Sequence, residues 1–438
     1  MKLGPDAIAE WRRNWKVVVA AALGVGLMSV PSYSIGVFIG PLEAEFGWKR
    51  AAIASVLMFN AVAAVVLGAF VGLAVDRTGP RRIALVGSIC VCTAFALMSL
   101  TTASLWSWFA IWVFMALTGV LIKPLVWTAA VSSLFASSRG LALAATLCGT
   151  SLASTVTPIL CSYLIGKFGW RTAYLGLAGF LAVLVLPALF FLFTSALDQH
   201  RTRAAQGGPA EEKAVLKGVG VREGLLSWRF LRLNIAAATM VLVGANSTIN
   251  FVPIMKSFGH AQMTAAGVAG LAGLSTIVGR MIGGYLLDRI NGNVVAGCSV
   301  AMPIVSSLLL LLFPGSVEAC AAAALILGLG LGAELDAVAY LTTRHFGMRS
   351  FGVLFGVVGG TLGMATGVGP TLLNHIYDVT GSYAPALWGF IPLCVLGSTL
   401  FFTLGKYRDF GETGLPTGEP KPGSGGPRLV EPAPAAPR

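Results

Sequence analysis

The chain has 438 residues, of which 56% are apolar and 11% charged, with a formal net charge of +12 and a mean hydropathy of +0.81. Such a composition excludes an ordinary soluble domain and points to a polytopic membrane protein. The basic residues are scattered between apolar runs rather than gathered in one domain, which argues against nucleic acid as a partner and for positively charged cytoplasmic loops.

Residues 1–15 are polar and set Trp11 and Trp15 beside Arg12 and Arg13, the mixture expected where a chain meets the membrane interface. Apolar runs follow at roughly 16–40, 51–75, 82–102, 105–134, 140–166, 172–195, 231–255, 262–287, 294–313, 317–343, 351–376 and 383–404. Each can cross ~30 Å of hydrocarbon at ~1.5 Å per residue. The expected fold is therefore an all-α membrane protein of twelve transmembrane helices. The first run is a full span with no convincing cleavage site, so it is read as an uncleaved helix and not a signal peptide.

Residues 196–230 hold no apolar span but carry Arg201, Arg203, Lys213, Lys217, Arg222 and Arg229 around Gly207-Gly208-Pro209. This segment is the expected linker between a six-helix bundle at 16–195 and another at 231–404. With the amino terminus in the cytoplasm, most of the 30 Lys and Arg residues fall on the cytoplasmic side, so residues 1–15, the linker and the tail at 405–438 are all placed there. The tail is rich in Pro and Gly and is expected to be disordered. All seven cysteines (Cys90, Cys92, Cys148, Cys161, Cys298, Cys320 and Cys394) fall inside apolar runs without metal-ligand spacing. They read as small packing residues.

Between the second and third runs stands Gly72-Leu73-Ala74-Val75-Asp76-Arg77-Thr78-Gly79-Pro80-Arg81-Arg82. Asp76 ends one apolar helix while Arg81 and Arg82 begin the next, and both signs oppose the helix dipole. Charges so placed need partners. Gly72, one turn before Asp76, leaves room for a neighbouring helix, and Gly79 permits a tight reversal. A shortened copy, Gly284-Tyr285-Leu286-Leu287-Asp288-Arg289, follows 212 residues after Gly72. The same offset separates Pro41 from Pro253, Phe46-Gly47 from Phe258-Gly259, Pro158 from Pro370 and Gly169 from Gly381.

The pattern G-x-x-x-D-R-x-G-x-R-R and its echo resemble the loop between the second and third helices of major facilitator superfamily transporters. That resemblance implies two pseudo-symmetric six-helix bundles, each made of inverted three-helix units, with a binding site near the midplane between them. It also gives Gly72, Asp76, Arg77, Gly79, Arg81, Arg82, Gly284, Asp288 and Arg289 a gating role.

Lys123, Arg280, Glu334 and Asp336 are the ionisable side chains well inside the expected spans, apart from thiols, tyrosines and groups at helix ends. A charge at the bilayer centre costs ~2.5–3.5 kcal/mol even on the lenient scale. Arg280 precedes Asp288 by ~12 Å of helix, Glu334 precedes Arg344 by ~15 Å and Lys123 precedes Phe135 by ~18 Å, so all three lie near mid-membrane. Lys123 and Glu334 occupy matching repeat positions to within one residue, and Arg280 falls where the first half has Gly68. The halves differ at the site while sharing a scaffold.

A guanidinium matches a carboxylate in a two-pronged geometry, so Arg280, with Lys123, is expected to bind an organic anion. The alternative is a permanent ion pair of Arg280 with Glu334 or Asp336; a pair that opens for substrate would be both. A carboxylate away from water takes up a proton more readily, which makes Glu334 the first candidate for proton coupling and Asp336 the second, with plain charge balance for Arg280 as the alternative. Two residues apart on a helix, they point to different faces. Lys123 precedes Pro124, where a helix loses a backbone bond and opens locally. Tyr33 and its serine neighbours, Asn60, Asn246 and Asn250 could hydrogen-bond substrate or bind helix to helix. Trp127 could stack on substrate or simply pack.

The stretch from Tyr33 to Trp48, followed by Arg50-Ala51-Ala52-Ile53, and Ser138-Arg139-Gly140-Leu141-Ala142-Leu143-Ala144 with Gly149 are similar to the monocarboxylate and oxalate:formate transporter branch. So is Gly279-Arg280, which in that branch binds substrate carboxylate. Two features depart from it. Arg13-Asn14-Trp15-Lys16 replaces the acidic-Gly-aromatic signature of the animal carriers, and Thr276 stands where they place an Asp one turn before the arginine. Proton loading must then use another acid.

The expectation is an inner-membrane carboxylate transporter working by alternating access, taking up a small organic anion with protons. It would act as a monomer among membrane lipids, with no cofactor beyond the coupling proton. The alternatives are a proton-driven drug or metabolite exporter, whose full glycine-rich pattern around Pro158 is missing, and an anion exchanger. A sensor signalling through its tail is disfavoured because the tail holds no recognisable domain. Enzyme chemistry is disfavoured because no nucleophile-base pair, metal cluster or phosphate loop is present.

Overall fold

The structure is a computed structural model that describes residues 5–132, 134–135, 138–194, 218–287, 289–347 and 350–407. The tail expected to be disordered and most of the linker lie outside the described residues. Helices α1 (Pro5–Phe46), α2 (Arg50–Ala54), α3 (Leu57–Thr78), α4 (Pro80–Met98), α5 (Leu105–Gly119), α6 (Pro124–Ser132) and α7 (Arg139–Leu192) make up the first part. The second comprises α8 (Val221–Leu225), α9 (Trp228–Met240), α10 (Asn246–Ile249), α11 (Phe251–Ser257), α12 (Gln262–Leu287), α13 (Gly292–Leu312), α14 (Val317–Phe346), α15 (Phe351–Thr380) and α16 (Ala384–Phe402).

Among the described residues eleven helical stretches are long and apolar enough to cross a membrane. Hydrocarbon offers no partner to a free N–H or C=O, so spanning segments must satisfy their own backbone. One stretch is two crossings: α7 has 54 residues but breaks at Gly169, whose φ of 77° and ψ of 164° no helix contains. That gives the twelve crossings expected. Gly47, Gly169, Gly259 and Gly381 all have positive φ, between 67° and 91°. The 212-residue repeat is therefore written in the backbone as well as in the sequence.

Three runs differ from unbroken spans. α1 starts at Pro5 and carries residues 5–15 as helix, because polar anchors hold that turn: Ser138 donates to Glu10 from both its backbone N–H and its hydroxyl, and Asn14 donates to the Leu134 carbonyl. The fourth run breaks at Lys123, which is extended (φ −65°, ψ 161°) between a 3₁₀ turn and α6. Pro124 supplies the physical reason, since its ring and missing N–H stop the preceding turn from continuing. The seventh run passes through a π turn at Val241–Ala245 and bends again at Asn250.

Small residues set the helix contacts. Gly149 of α7 faces the Ala22 carbonyl and Gly26 of α1. Gly279 of α12 lies against the Leu329 backbone of α14, and Gly328 and Gly332 of α14 against Ala272, Thr276 and Arg280 of α12. Contacts between the two halves follow the same rule: Gly273 meets Ser154 and Thr155, Gly367 meets Met58 and Ala61, and Gly36 meets the Ile249 carbonyl. Without a hydrophobic driving force in lipid, such close backbone approach is what binds helices.

Candidate functional site

The glycines that let α12 and α14 touch also fix the first charge. Gly332 abuts the Arg280 backbone, and Asp336, one turn on along the same face of α14, brings its Oδ2 to 3.5 Å from Arg280 Nε. That distance is an ion pair but too long for a good hydrogen bond. Arg280 is only 12% exposed at its side chain, and its Nε and Nη1 are buried with no hydrogen-bond partner in the structure. Unmade hydrogen bonds on a buried guanidinium are costly. Among the described residues no acceptor reaches either nitrogen within hydrogen-bonding distance.

Glu334, two residues before Asp336, is 7% exposed. It and Arg280 are both within electrostatic reach of Tyr33 on α1. Arg280, Glu334, Asp336 and Tyr33 therefore form one group, drawn from both halves of the chain.

Lys123 lies elsewhere. The break before α6 sets it in a small cavity of about 40 Å³ lined by Met28, Pro31, Ser32, Asn60, Val91, Met115, Gly119 and Ile122. Asn60 joins Lys123 there and not the arginine. Trp127 belongs to neither group: it is fully buried, donates its indole N–H to the Ile122 carbonyl at 2.7 Å, and packs on Gly24 and Phe193. Asn246 is buried and donates to the Val241, Leu242 and Ala365 carbonyls, tying the seventh span to α15.

Asn250 starts a polar chain at the end of the bundle away from the termini. Asn374 donates to Asn250 Oδ1 at 2.9 Å, Tyr383 donates to Asn374 at 2.7 Å, and Arg50 Nη1 donates to the Tyr383 hydroxyl at 3.3 Å. Arg50 also pairs with Glu43 at 2.8 Å and lies 3.9 Å from the centre of the Tyr377 ring. This cluster closes that end between the halves. Further along α3 and α15 a cavity of about 430 Å³ lies between Val62, Val65 and Val66 on one side and Val357, Gly360, Thr361 and Met364 on the other. Sequence reasoning missed Tyr377, Asp378 and Tyr383, which read as ordinary groups at a helix end; the Glu43 and Arg50 of the branch-like stretch were the available signal.

Of the residues expected to gate, Gly79 makes the expected reversal at φ 87° and hands on to Pro80 at the start of α4. Arg81 donates to the Phe190 carbonyl, Arg82 is exposed, and Arg289 stacks 4.4 Å over Tyr285. Gly284 has open space where a Cβ would stand. Asp288 lies outside the described residues, as do the surroundings of Gly72 and the side chains of Asp76 and Arg77.

Two apposed helical halves, a charged group between them and closure at one end define a membrane transporter rather than an enzyme. Residues 21–370 match the Major Facilitator Superfamily, to which the chain belongs. It is 25% identical over 415 residues to monocarboxylate transporter 13 of Bos taurus, covering 93% of this chain and 92% of that one. It is 26% identical over 434 residues to a gallate transporter of Pseudomonas putida, covering 87% and 94%. In fold it is similar to the crystal structure of a D-xylose-proton symporter, at a TM-score of 0.69 and 13% identity over 89% of this chain and 97% of that one.

Proposed function

We propose that the protein carries a small organic carboxylate across the cell membrane by alternating access, taking it up together with protons. One observation supports the anion: two buried guanidinium nitrogens of Arg280 have no hydrogen-bond partner, although Asp336 neutralises their charge at a distance. Each nitrogen is a donor that a carboxylate oxygen can take up with a charge-assisted bond. The names of the monocarboxylate and gallate relatives favour the same class.

Proton symport suits the chemistry. A bound proton cancels the anion's charge and removes a membrane-potential barrier of ~2.3 kcal/mol per charge per 100 mV. Glu334, shielded from water and near both Tyr33 and Arg280, is the acid we assign to it, with Asp336 as the alternative. The protein works as a single chain in the inner membrane with both termini cytoplasmic, and the Arg50 cluster is its outer gate.

Binding of a carboxylate panel to the purified protein, with Arg280→Gln beside it, is the test. One or more acids should raise the melting temperature of the wild type and not of the variant, whose unliganded melting should stay close. If no acid acts on the wild type, a neutral or cationic cargo, as for an exporter, replaces this reading.

A further inference from the structure

Among the described residues Lys123, the charge in the first half, has no ion-pair partner. Ion pairs among the described residues join Arg50 to Glu43, Arg171 to Glu45 and Arg280 to Asp336; none reaches Lys123, and no carboxylate lines its cavity. A lysine at mid-membrane depth with no counter-ion is costly. The cavity it lines is polar for its size, with Ser32 and Asn60 in the same wall as Lys123. Its free volume of about 40 Å³ admits a few atoms and not a whole molecule.

Ser32 and Tyr33 connect the two charges. Ser32 lines the lysine cavity, while Tyr33, the next residue of α1, is within electrostatic reach of Arg280 and Glu334. Successive residues of a helix point about 100° apart, so a single turn of α1 stands beside both groups. One side carries a guanidinium with unfilled donors and the other an unpaired ammonium in a pocket sized for a terminal group.

We propose that Lys123, with Asn60 and Ser32, is a second subsite, which takes a terminal oxygen of a substrate whose carboxylate Arg280 holds. The substrate class is then a two-ended acid: a hydroxy acid or a dicarboxylate, bridging the halves across α1. The proposal rests on the carboxylate reading of Arg280. A pocket of this kind separates acids by their far end, since a site built to bond an oxygen is left with unpaired groups by an analogue that lacks one.

The test compares benzoate, 4-hydroxybenzoate and terephthalate on the full-length protein in lipid nanodiscs by titration calorimetry, using wild type, Lys123→Met, Asn60→Ala and Arg280→Gln. The wild type should bind the two oxygen-bearing acids about tenfold more tightly than benzoate, as expected of a hydrogen bond to a charged group. Lys123→Met should collapse that ratio towards one by weakening the two oxygen-bearing acids; Asn60→Ala should lower the ratio in part and serves where the lysine variant does not fold. A ratio unaffected in both variants, with benzoate binding still lost in Arg280→Gln, overturns the second subsite alone. No binding of any acid to the wild type overturns the carboxylate reading and this proposal with it. Chloride is the other source of an anion: if it raises the wild-type melting temperature but not that of Lys123→Met, while the ratio stays fixed, the pocket holds a free ion and the proposal fails.

Discussion

Asp378, in the last turn of α15, accepts the backbone N–H of Arg50 at 3.1 Å and that of Ala51 at 2.9 Å. The carboxylate thus satisfies two donors at the start of α2 that have no partner within the helix, and it does so from the opposite half of the chain. With Glu43 and Tyr383 on the Arg50 guanidinium, the closed end is held by backbone and side chain together.

Asp378→Asn should loosen that end. Hydrogen bonds to charged groups contribute ~1.5–3 kcal/mol, so amide exchange of residues 47–54 should rise by about tenfold or more. Hydrogen exchange read by mass spectrometry is the measurement; unchanged protection would mean that the outer contact is held by packing alone.

On the proposed carboxylate reading, Asp336, 3.5 Å from Arg280 Nε, competes with substrate for the guanidinium. Asp336→Asn should therefore tighten binding of a carboxylate, by roughly threefold to tenfold if the competing pair is worth ~1 kcal/mol, while Arg280→Lys should weaken it because an ammonium lacks the planar fork. Weaker binding in Asp336→Asn would assign Asp336 to holding the arginine in place.

Glu334→Gln should leave carboxylate exchange running and abolish uptake against a gradient. With the proton as co-substrate, as proposed, wild-type uptake should fall as the outside pH rises; in the variant the rate should be flat with pH. Reconstituted vesicles with an imposed pH difference separate the two. Retained pH dependence would shift the role to another acid.

Gly332→Ala should be strongly destabilising. Its new Cβ would collide with the Thr276 carbonyl and the Arg280 backbone, forcing α12 and α14 apart at a cost of ~1–3 kcal/mol or more. Gly363→Ala, where a Cβ meets open space, is the matched control and should melt within a degree or two of wild type. Equal melting of both variants would refute the close helix contact.

Much of the scaffold was legible in the sequence because lipid imposes it: length and apolarity mark a span, and the repeated Gly47, Gly169, Gly259 and Gly381 mark the turns. Pro124 announced the break that frees Lys123. Harder to read was which way each helix faces. A helix apolar on all sides carries no stripe to show its inward face, so Trp127, Asn246 and Asn250 looked like candidates equal to Tyr33. Contacts alone separate them: Trp127 bonds to Ile122 within its own segment, Asn246 reaches α15, and Asn250 joins the chain that ends on Arg50. Asp378 was invisible for a related reason, since a charge at a helix end costs little in water and draws no notice.

The turn at Gly169 uses one residue between two helices, and that at Gly381 only the three from Gly381 to Tyr383. Joints so short leave no slack: the paired spans on either side cannot slide past one another or separate at that end. Each such hairpin must travel as one stiff lever. A loop swinging aside at either of these two turns cannot open the closed end.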